Sequence, residues 1–552
     1  MVEPYFYIKK KMLKKALLLS AIIVAQACTD INEAYNGADG ITQEKMMEHI
    51  EVLSSDEYMG RGTGTAGEQM SVDYLVEQMK EIGATSGVDD GSFIQPFPLV
   101  GQKTSGHVLT IGNKTATYFE DFVAWPAGEE SDIAISNAEL VYVGYGIQAP
   151  EENWNDFKGL DVEGKVLVIK NNDPGYTEDL FGGSARLYYG RWSYKFEKAK
   201  EMGALGAIII HTTETAGYGW NVVSNSWSRE RFNVKTESAT TELSAWITYD
   251  FAKSIFTNAD LNIDELLEAA DSPDFEPVSL GNQTLDASLT AEYRTINAQN
   301  VLGVIEGSDP ELKNEYLILT AHFDHLGITV PIDGDDINNG AEDNAAGVSA
   351  LLEMMRAYKA QQPNIKRSVL GLIVSAEEVG LLGSQYWAEN PTVDPAKISG
   401  NINLDGMNVY GLTNDVVIIG YGRNTIGDLV KKHASKQDRM VIPDPNPSLG
   451  LFYRSDHFNM AKVGIPAIFP IPGSDFVGKE EAFSAMIDSV SSANYHTVND
   501  EINEYWDFSG ATEDTRLFYK VGVDILNADD MQKWMTGDEF EATRIESLKS
   551  EK

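Results

Sequence analysis

The chain has 552 residues, 43% hydrophobic and 10% aromatic, which excludes a disordered chain and exceeds what one hydrophobic core usually serves, so two domains are expected. Its 43 Lys and Arg against 84 Asp and Glu give a formal charge of -41. No basic stripe interleaved with aromatics is present, so phosphate backbones would be repelled and nucleic acid is not an expected partner. Most of the acidic excess reads as a solvated surface.

Lys9-Lys-Lys-Met-Leu-Lys-Lys15 precedes the apolar run Ala16 to Ala27, which is too short to span a bilayer but fits the basic and apolar parts of a secretory signal. Cys28 follows, the only cysteine. Ala25-Gln-Ala-Cys28 resembles a bacterial lipobox, in which the thiol is lipidated and becomes the new N-terminus; an ordinary signal followed by a chance cysteine is the competing reading. Met12 would serve as the start, since residues 1–11 add nothing a signal needs. The expectation is an exported bacterial lipoprotein, periplasmic or anchored at the outer membrane or cell surface by acyl chains on Cys28. Such a mature chain has no thiol for disulfides or cysteine catalysis.

From about Ile41 to Val100 the pattern reads as a helix, the Gly-rich loop Met59-Gly-Arg-Gly-Thr-Gly-Thr65, and a second helix with Met70, Tyr74, Leu75 and Met79 at helical spacing, stopped by Gly83. From roughly 130 to 270 short β runs take over: Glu139 to Tyr145, Lys165 to Lys170 and Ala207 to His211, with a helical stretch around Tyr194 to Met202 between the last two. The acidic stretch Ala127 to Asp132 and the polar stretch near Asp271 to Asn282 are its expected borders. After about residue 298, strands at Tyr316 to Ala321, Ser368 to Ser375, Ile398 to Leu404 and Val416 to Gly420 alternate with helices at Ala346 to Lys359, near Gly383 to Glu389 and at Thr425 to Ser435. Gly464 to Phe469 is a further apolar run, and Leu517, Val521 and Ile525 stripe a C-terminal helix. This alternation predicts an α/β fold, a mostly parallel sheet flanked by helices on both faces, with a β-rich insertion. The expected division is a signal peptide over 1–27, a main α/β domain in two parts over 28–125 and 276–540, the insertion over 126–275, and a polar tail over 541–552.

Ligands in open α/β sheets sit beyond the carboxyl ends of the strands. Three predicted strands end there in groups that bind metals: His322 with Asp324, the adjacent pair Glu377 and Glu378, and Asp405. Two loops add Asn339-Gly-Ala-Glu-Asp-Asn-Ala-Ala-Gly347, with Asp343, and Asn494-Tyr-His-Thr497. A lone histidine is usually structural, but imidazoles and carboxylates converging on strand ends reverse that weighting. Two adjacent carboxylates at a strand mouth repel and, when buried, need a cation or a proton to compensate them.

His322-Phe-Asp324, Asp343 within NGAEDNAAG, Glu377-Glu378 followed by VGLLGS, Asp405 within NLDGMN, and Tyr495-His496 together resemble the di-zinc aminopeptidases of metallopeptidase family twenty-eight. The resemblance reaches from LSSDEYMGRGTGTAGE near residue 41 to about Trp534, and the segment near 130 to 270, with VGYGI and EKAKEMGALGAIIIH, resembles the protease-associated domain many members carry. It implies two zinc ions bridged by Asp343, one site completed by His322 and Asp405, the other by Glu378 and His496. Asp324 would orient His322. Two ions about 3.5 to 4 Å apart would keep the carboxylates ionised and acidify a bridging water. Glu377 would act as general base and then protonate the departing amine, and Tyr495 would hydrogen-bond the oxyanion; an ordinary half-buried tyrosine is the competing reading.

His325 and the stretch Arg454-Ser-Asp-His457 are expected to shape the pocket, with a plain structural role weighed equally. Arg454 near zinc would read a free substrate carboxylate and so favour a carboxypeptidase. Glu342 stands where the family more often has aspartate, a departure that leaves the ligand set intact. The function expected is a zinc-dependent aminopeptidase acting on peptides. A single-zinc glutaminyl cyclase on the same fold and a non-catalytic surface binding lipoprotein are the alternatives; the five-ligand set and Glu377 weigh against both.

Overall fold

A computed structural model of the protein describes residues 31–549 apart from 128–131, 176, 178–179, 228–229, 236–241 and 333. The expected signal segment and Cys28 lie outside the described residues. The chain divides into two compact units: the described residues up to Pro96 with Ala298–Asp444 and those from Ser455 on, and Phe97–Asn297 with Pro445–Arg454. No helix among the described residues is long and apolar enough to cross a membrane.

The first unit begins with helices α1 (Gln43–Leu53) and α2 (Ala66–Ile82). The Thr42 side chain accepts from the Lys45 amide to cap α1, and Gly83, left-handed at φ 78°, stops α2 where a side chain would be strained.

In the second unit, β1 (Phe122–Pro126), β2 (Asp132–Tyr142), β3 (Val166–Lys170), helix α3 (Trp192–Glu201), β4 (Gly206–His211) and β5 (Leu243–Thr248) follow one another. β2, β3, β4 and β5 pair in parallel in that order, and β1 closes on β5 antiparallel. The continuous apolar runs LVIK and GAIII are strands buried on both faces. The early residues of β6 (Val278–Ile305) pair antiparallel with β2. This unit is wider than the 126–275 segment read from sequence. The long strands Ile94–Ile111 and β6 carry it outward on either side, so the polar stretch taken as a border runs into β6.

The first unit resumes with β7 (Tyr316–His322), α4 (Gly347–Ala360), β8 (Ser368–Val374), α5 (Leu382–Glu389), β9 (Ile398–Asn403), β10 (Asp415–Ile419), β11 (Met440–Pro443), α6 (His457–Lys462), β12 (Ala467–Ile471), α7 (Glu481–Asn494), α8 (Ser509–Asn527) and α9 (Glu541–Ser547). Its strand order is β11, β10, β12, β9, β7, β8 and the last residues of β6. β8, β7, β9 and β12 are mutually parallel, and β6 and β10 flank them antiparallel. Alternate residues feed opposite faces: Leu317, Leu319 and Ala321 pack in the core with α1, α2, α4 and α8, while Ile318 packs with Trp387 of α5 and Met460 of α6. The sheet is thus mixed α/β, covered on both faces. Residues 541–547, expected as part of a polar tail, form α9 instead. Arg544 is buried there and donates to the carbonyls of Pro395 and Ile398 at 2.9 and 2.6 Å.

Candidate metal centre

The parallel strands β7, β8 and β9 end level with one another. His322 lies opposite Val374, and Thr320 opposite Asn403. His322 at the end of β7, Glu377 and Glu378 just past β8, and Asp405 just past β9 therefore emerge on one edge of the sheet. Asp343 comes from the turn before α4. That turn needs a glycine at 340, which is left-handed at φ 58°; a Cβ there would stand 2.3 Å from the Asp343 carbonyl and 2.6 Å from the His325 ring. His496 comes from the loop after α7.

His322 Nε2 lies 3.2 Å from Asp343 Oδ1 and 3.2 Å from Asp405 Oδ1. His496 Nε2 lies 3.1 Å from Asp343 Oδ2 and 3.2 Å from Glu378 Oε2. All five groups assigned as ligands from sequence thus meet, with Asp343 between the two histidines. His325, which sequence left as a pocket-shaping residue, comes closer still: its Nδ1 is 2.6 Å from Glu378 Oε1 and 4.0 Å from Asp343 Oδ2, while its Nε2 is buried without a partner among the described residues. Two imidazoles therefore approach Glu378, and sequence spacing alone does not separate them.

Asp324 does more than the orienting role read from sequence. Its carboxylate accepts from the backbone amides of Glu377 and Glu378 at 3.1 and 3.3 Å and from Thr63 Oγ1 at 3.3 Å. The nearer partner of His322 Nδ1 is the Asp324 carbonyl at 3.2 Å; the carboxylate is 3.9 Å away. Asp324 thus locks the strand end that presents both glutamates. Tyr495 is 61% exposed and stacks on His496 with ring centroids 3.8 Å apart, so it is neither half-buried nor held by core packing.

Several further side chains support these groups. The Asn344 side chain donates to the carbonyls of His322 and Leu404 at 3.2 and 2.9 Å and accepts from the amides of Gly347 and Gly406 at 3.0 and 3.1 Å, knitting three site segments. Asp500 accepts from the amides of Glu342 and Asp343 at 2.9 and 3.0 Å. Ser455 Oγ donates to Asp405 and accepts from Asn403 Nδ2. Buried Arg61 donates to the carbonyls of Phe323, Leu53 and Asn339 at 2.6 Å each and of Gly340 at 2.8 Å. Buried Glu68 fastens the Gly-rich loop to the end of β8 through the Gly64 amide and Ser375 Oγ, both at 2.5 Å.

Charge explains what such a cluster demands. Burial, then crowding by Asp405, Glu378 and Asp456, pushes Glu377 well above the usual carboxylate range although His322 opposes it. Burial and then Asp343 do the same to Glu378. Burial would raise Asp343 too, but its bonds to His322 and His496 win and hold it well below. Burial lowers Arg61 to about 10 against the pull of Asp500, Asp343, Asp324 and Glu378, so one guanidinium faces this group of acids as a permanent cation.

The donor set fits divalent metal. His322, Asp343 and Asp405, and likewise His325, Asp343 and Glu378, each offer ligand atoms within 4.8 Å of one another, and the two groups share Asp343. Nitrogen and carboxylate oxygen from three side chains is the ligand chemistry of catalytic zinc sites, and one carboxylate in both groups is what a bridge between neighbouring ions requires.

Residues 300–519 match Peptidase family M28. Leucine aminopeptidase 1 of Trichophyton rubrum is 28% identical over 189 residues, 32% of this chain and 48% of the relative. Leupeptin-inactivating enzyme 1 of Streptomyces exfoliatus is 28% identical over 178 residues, 32% of this chain and 36% of the relative. The chain thus spans about half the length, or less, of these curated relatives. Among solved structures, the aminopeptidase from Aneurinibacillus sp. strain AM-1 is 20% identical, with a TM-score of 0.49 over 89% of this chain and 96% of that one. The stretch that matches Peptidase family M28, residues 300–519, carries all five sequence-assigned ligands.

Proposed function

We propose that this chain is a zinc-dependent aminopeptidase that hydrolyses N-terminal residues from peptides at a two-ion site. The observation that carries the reading is the sharing of Asp343 by two ligand groups, beside a glutamate, Glu377, whose carboxylate makes no side-chain hydrogen bond among the described residues. His322, Asp343 and Asp405 would hold one ion; Asp343 and Glu378, with His496, would hold the other, His325 supporting Glu378 from its far oxygen. Zinc in these positions would supply Lewis-acid polarisation of the scissile carbonyl and lower the pKa of water.

The chain's own groups then divide the work. Glu377 takes the proton of the attacking water and passes it to the departing amine. Tyr495, exposed beside His496, donates its hydroxyl to the oxyanion. Asp324 and Asn344 keep the reacting geometry fixed, Asp324 by holding the Glu377 and Glu378 amides and Asn344 by joining the His322, Asp343 and Asp405 segments. The basic-apolar leader and Cys28 support export and lipid anchoring as part of the same reading.

The direction of trimming is tested with one peptide blocked at either end. Zinc-loaded protein is expected to cleave the peptide amidated at its C-terminus and to leave the N-acetylated peptide intact. Cleavage of the acetylated peptide at an undiminished rate would refute the aminopeptidase reading.

A further inference from the structure

The second unit contains a cavity of about 590 Å³ with no assigned role. Two arginines line it, Arg186 and Arg454. The segment that carries Arg454 is tied down beside Arg186: the Arg186 amide donates to the Pro447 carbonyl at 3.1 Å, and a Cβ on Gly450 would stand 3.4 Å from Arg186 Cδ. Arg191 belongs to the same group, since Arg454 and Arg186 add to burial in lowering it to about 10.

Asp173 lies near enough to act on Arg186, but it forms no ion pair with it. Among the described residues no carboxylate lies within salt-bridge distance of Arg186 or Arg191. Arg186 reaches only the carbonyls of Thr215 and Ala216, at 3.1 to 3.5 Å, and its Nε is buried with no partner. Asn172, also lining the cavity, has a buried Oδ1 with no partner. Two partly desolvated guanidinium groups, Arg186 and Arg191, beside a third cation are costly unless an anion joins them. In a chain of net charge -41, such a cluster is not a by-product of a generally basic surface.

The sign of the rest of the lining selects the anion. Asp173, Glu214, Glu268 and Asp271 also face the cavity, with Lys170 paired to Asp271, so a phosphate dianion would meet repulsion that a single carboxylate, placed on the arginine side, would escape. The planar fork of a guanidinium matches a carboxylate with two parallel bonds.

We propose that this cavity binds the carboxylate of an amino acid or a peptide C-terminus, gripped by Arg186 and Arg454 with Arg191 beside them.

The proposal stands apart from the peptidase reading, and its test keeps the two apart. Zinc-loaded full chain is titrated calorimetrically with N-acetylleucine, N-acetylleucinamide and inorganic phosphate; the acetyl group removes the free amine on which aminopeptidase recognition rests. N-acetylleucine is expected to bind, with the amide and phosphate at least about tenfold weaker, the discrimination a charged bidentate contact provides. Arg454→Gln and Arg191→Gln should each weaken N-acetylleucine binding by about tenfold or more, while turnover of leucine p-nitroanilide by Arg191→Gln stays within about twofold of wild type. Equal binding of acid and amide, phosphate binding as tightly as the acid, or unchanged binding by Arg454→Gln would overturn it.

Discussion

Glu377→Gln is expected to lower turnover by about a hundred- to ten-thousand-fold, the range that a positioned proton-transfer group contributes, with zinc content unchanged and KM little altered. Glutamine keeps the shape and volume of the side chain and removes only its ability to take a proton. Because the Glu377 amide is already held by Asp324 at 3.1 Å, the substituted residue stays at the strand end where the glutamate was. The expected pattern of lost turnover with retained metal and retained substrate affinity separates proton transfer from ligation. A variant with near-wild-type turnover and full zinc would remove Glu377 from the mechanism; a variant that lost zinc would make it a ligand.

Arg61→Met should destabilise the first unit by about 4 kcal/mol or more, a loss large enough to be diagnostic of a single mechanism. Methionine fills much of the same space but donates nothing, and it leaves the carbonyls of Leu53, Phe323 and Asn339, from the ends of α1 and β7 and the Asp343 turn, without partners, while that of Gly340 keeps only the Ala345 amide at 3.3 Å. Each buried orphan acceptor costs on the order of 1 to 3 kcal/mol. The substitution also withdraws the permanent cation facing Asp343, Asp324, Glu378 and Asp500. The urea midpoint of the zinc-free protein measures the change, and zinc should recover part of it by binding only the folded form. A shift of under about 1 kcal/mol would mean that the guanidinium is not what holds these segments together.

Why the centre could be located from sequence is a matter of strand chemistry. Leu317 to Leu319 and Val369 to Val374 are unbroken apolar runs, which only strands buried on both faces tolerate. Polar residues that interrupt the pattern at such strand ends then stand out, as His322, Glu377, Glu378 and Asp405 did. The competition between His325 and His496 for Glu378 was not legible, because it depends on side-chain directions in two loops rather than on spacing. Arg61 lies within a Gly-rich loop that suggests no task for it; nothing in MGRGTGT says that its backbone turns left-handed at φ 50° and that its side chain reaches the carbonyls of Phe323, Asn339 and Gly340.

The domain border fails for a different reason, since its signal was present. Leu285, Ala287, Leu289 and Ala291 alternate with exposed residues, the period-two pattern of a strand covered on one face. The polar residues just before them marked a boundary in composition, whereas the boundary in space falls inside the continuous strand β6.

The proposed mechanism rests on one carboxylate, Asp343, serving two metal ions at once. Elemental analysis of protein reconstituted with zinc and freed of excess, for wild type and for Asp343→Ala, tests that most directly. Two zinc ions per wild-type chain and fewer than one in the variant are the expected result. A wild-type chain that retains one zinc ion or none, or a variant that still retains two, would contradict it.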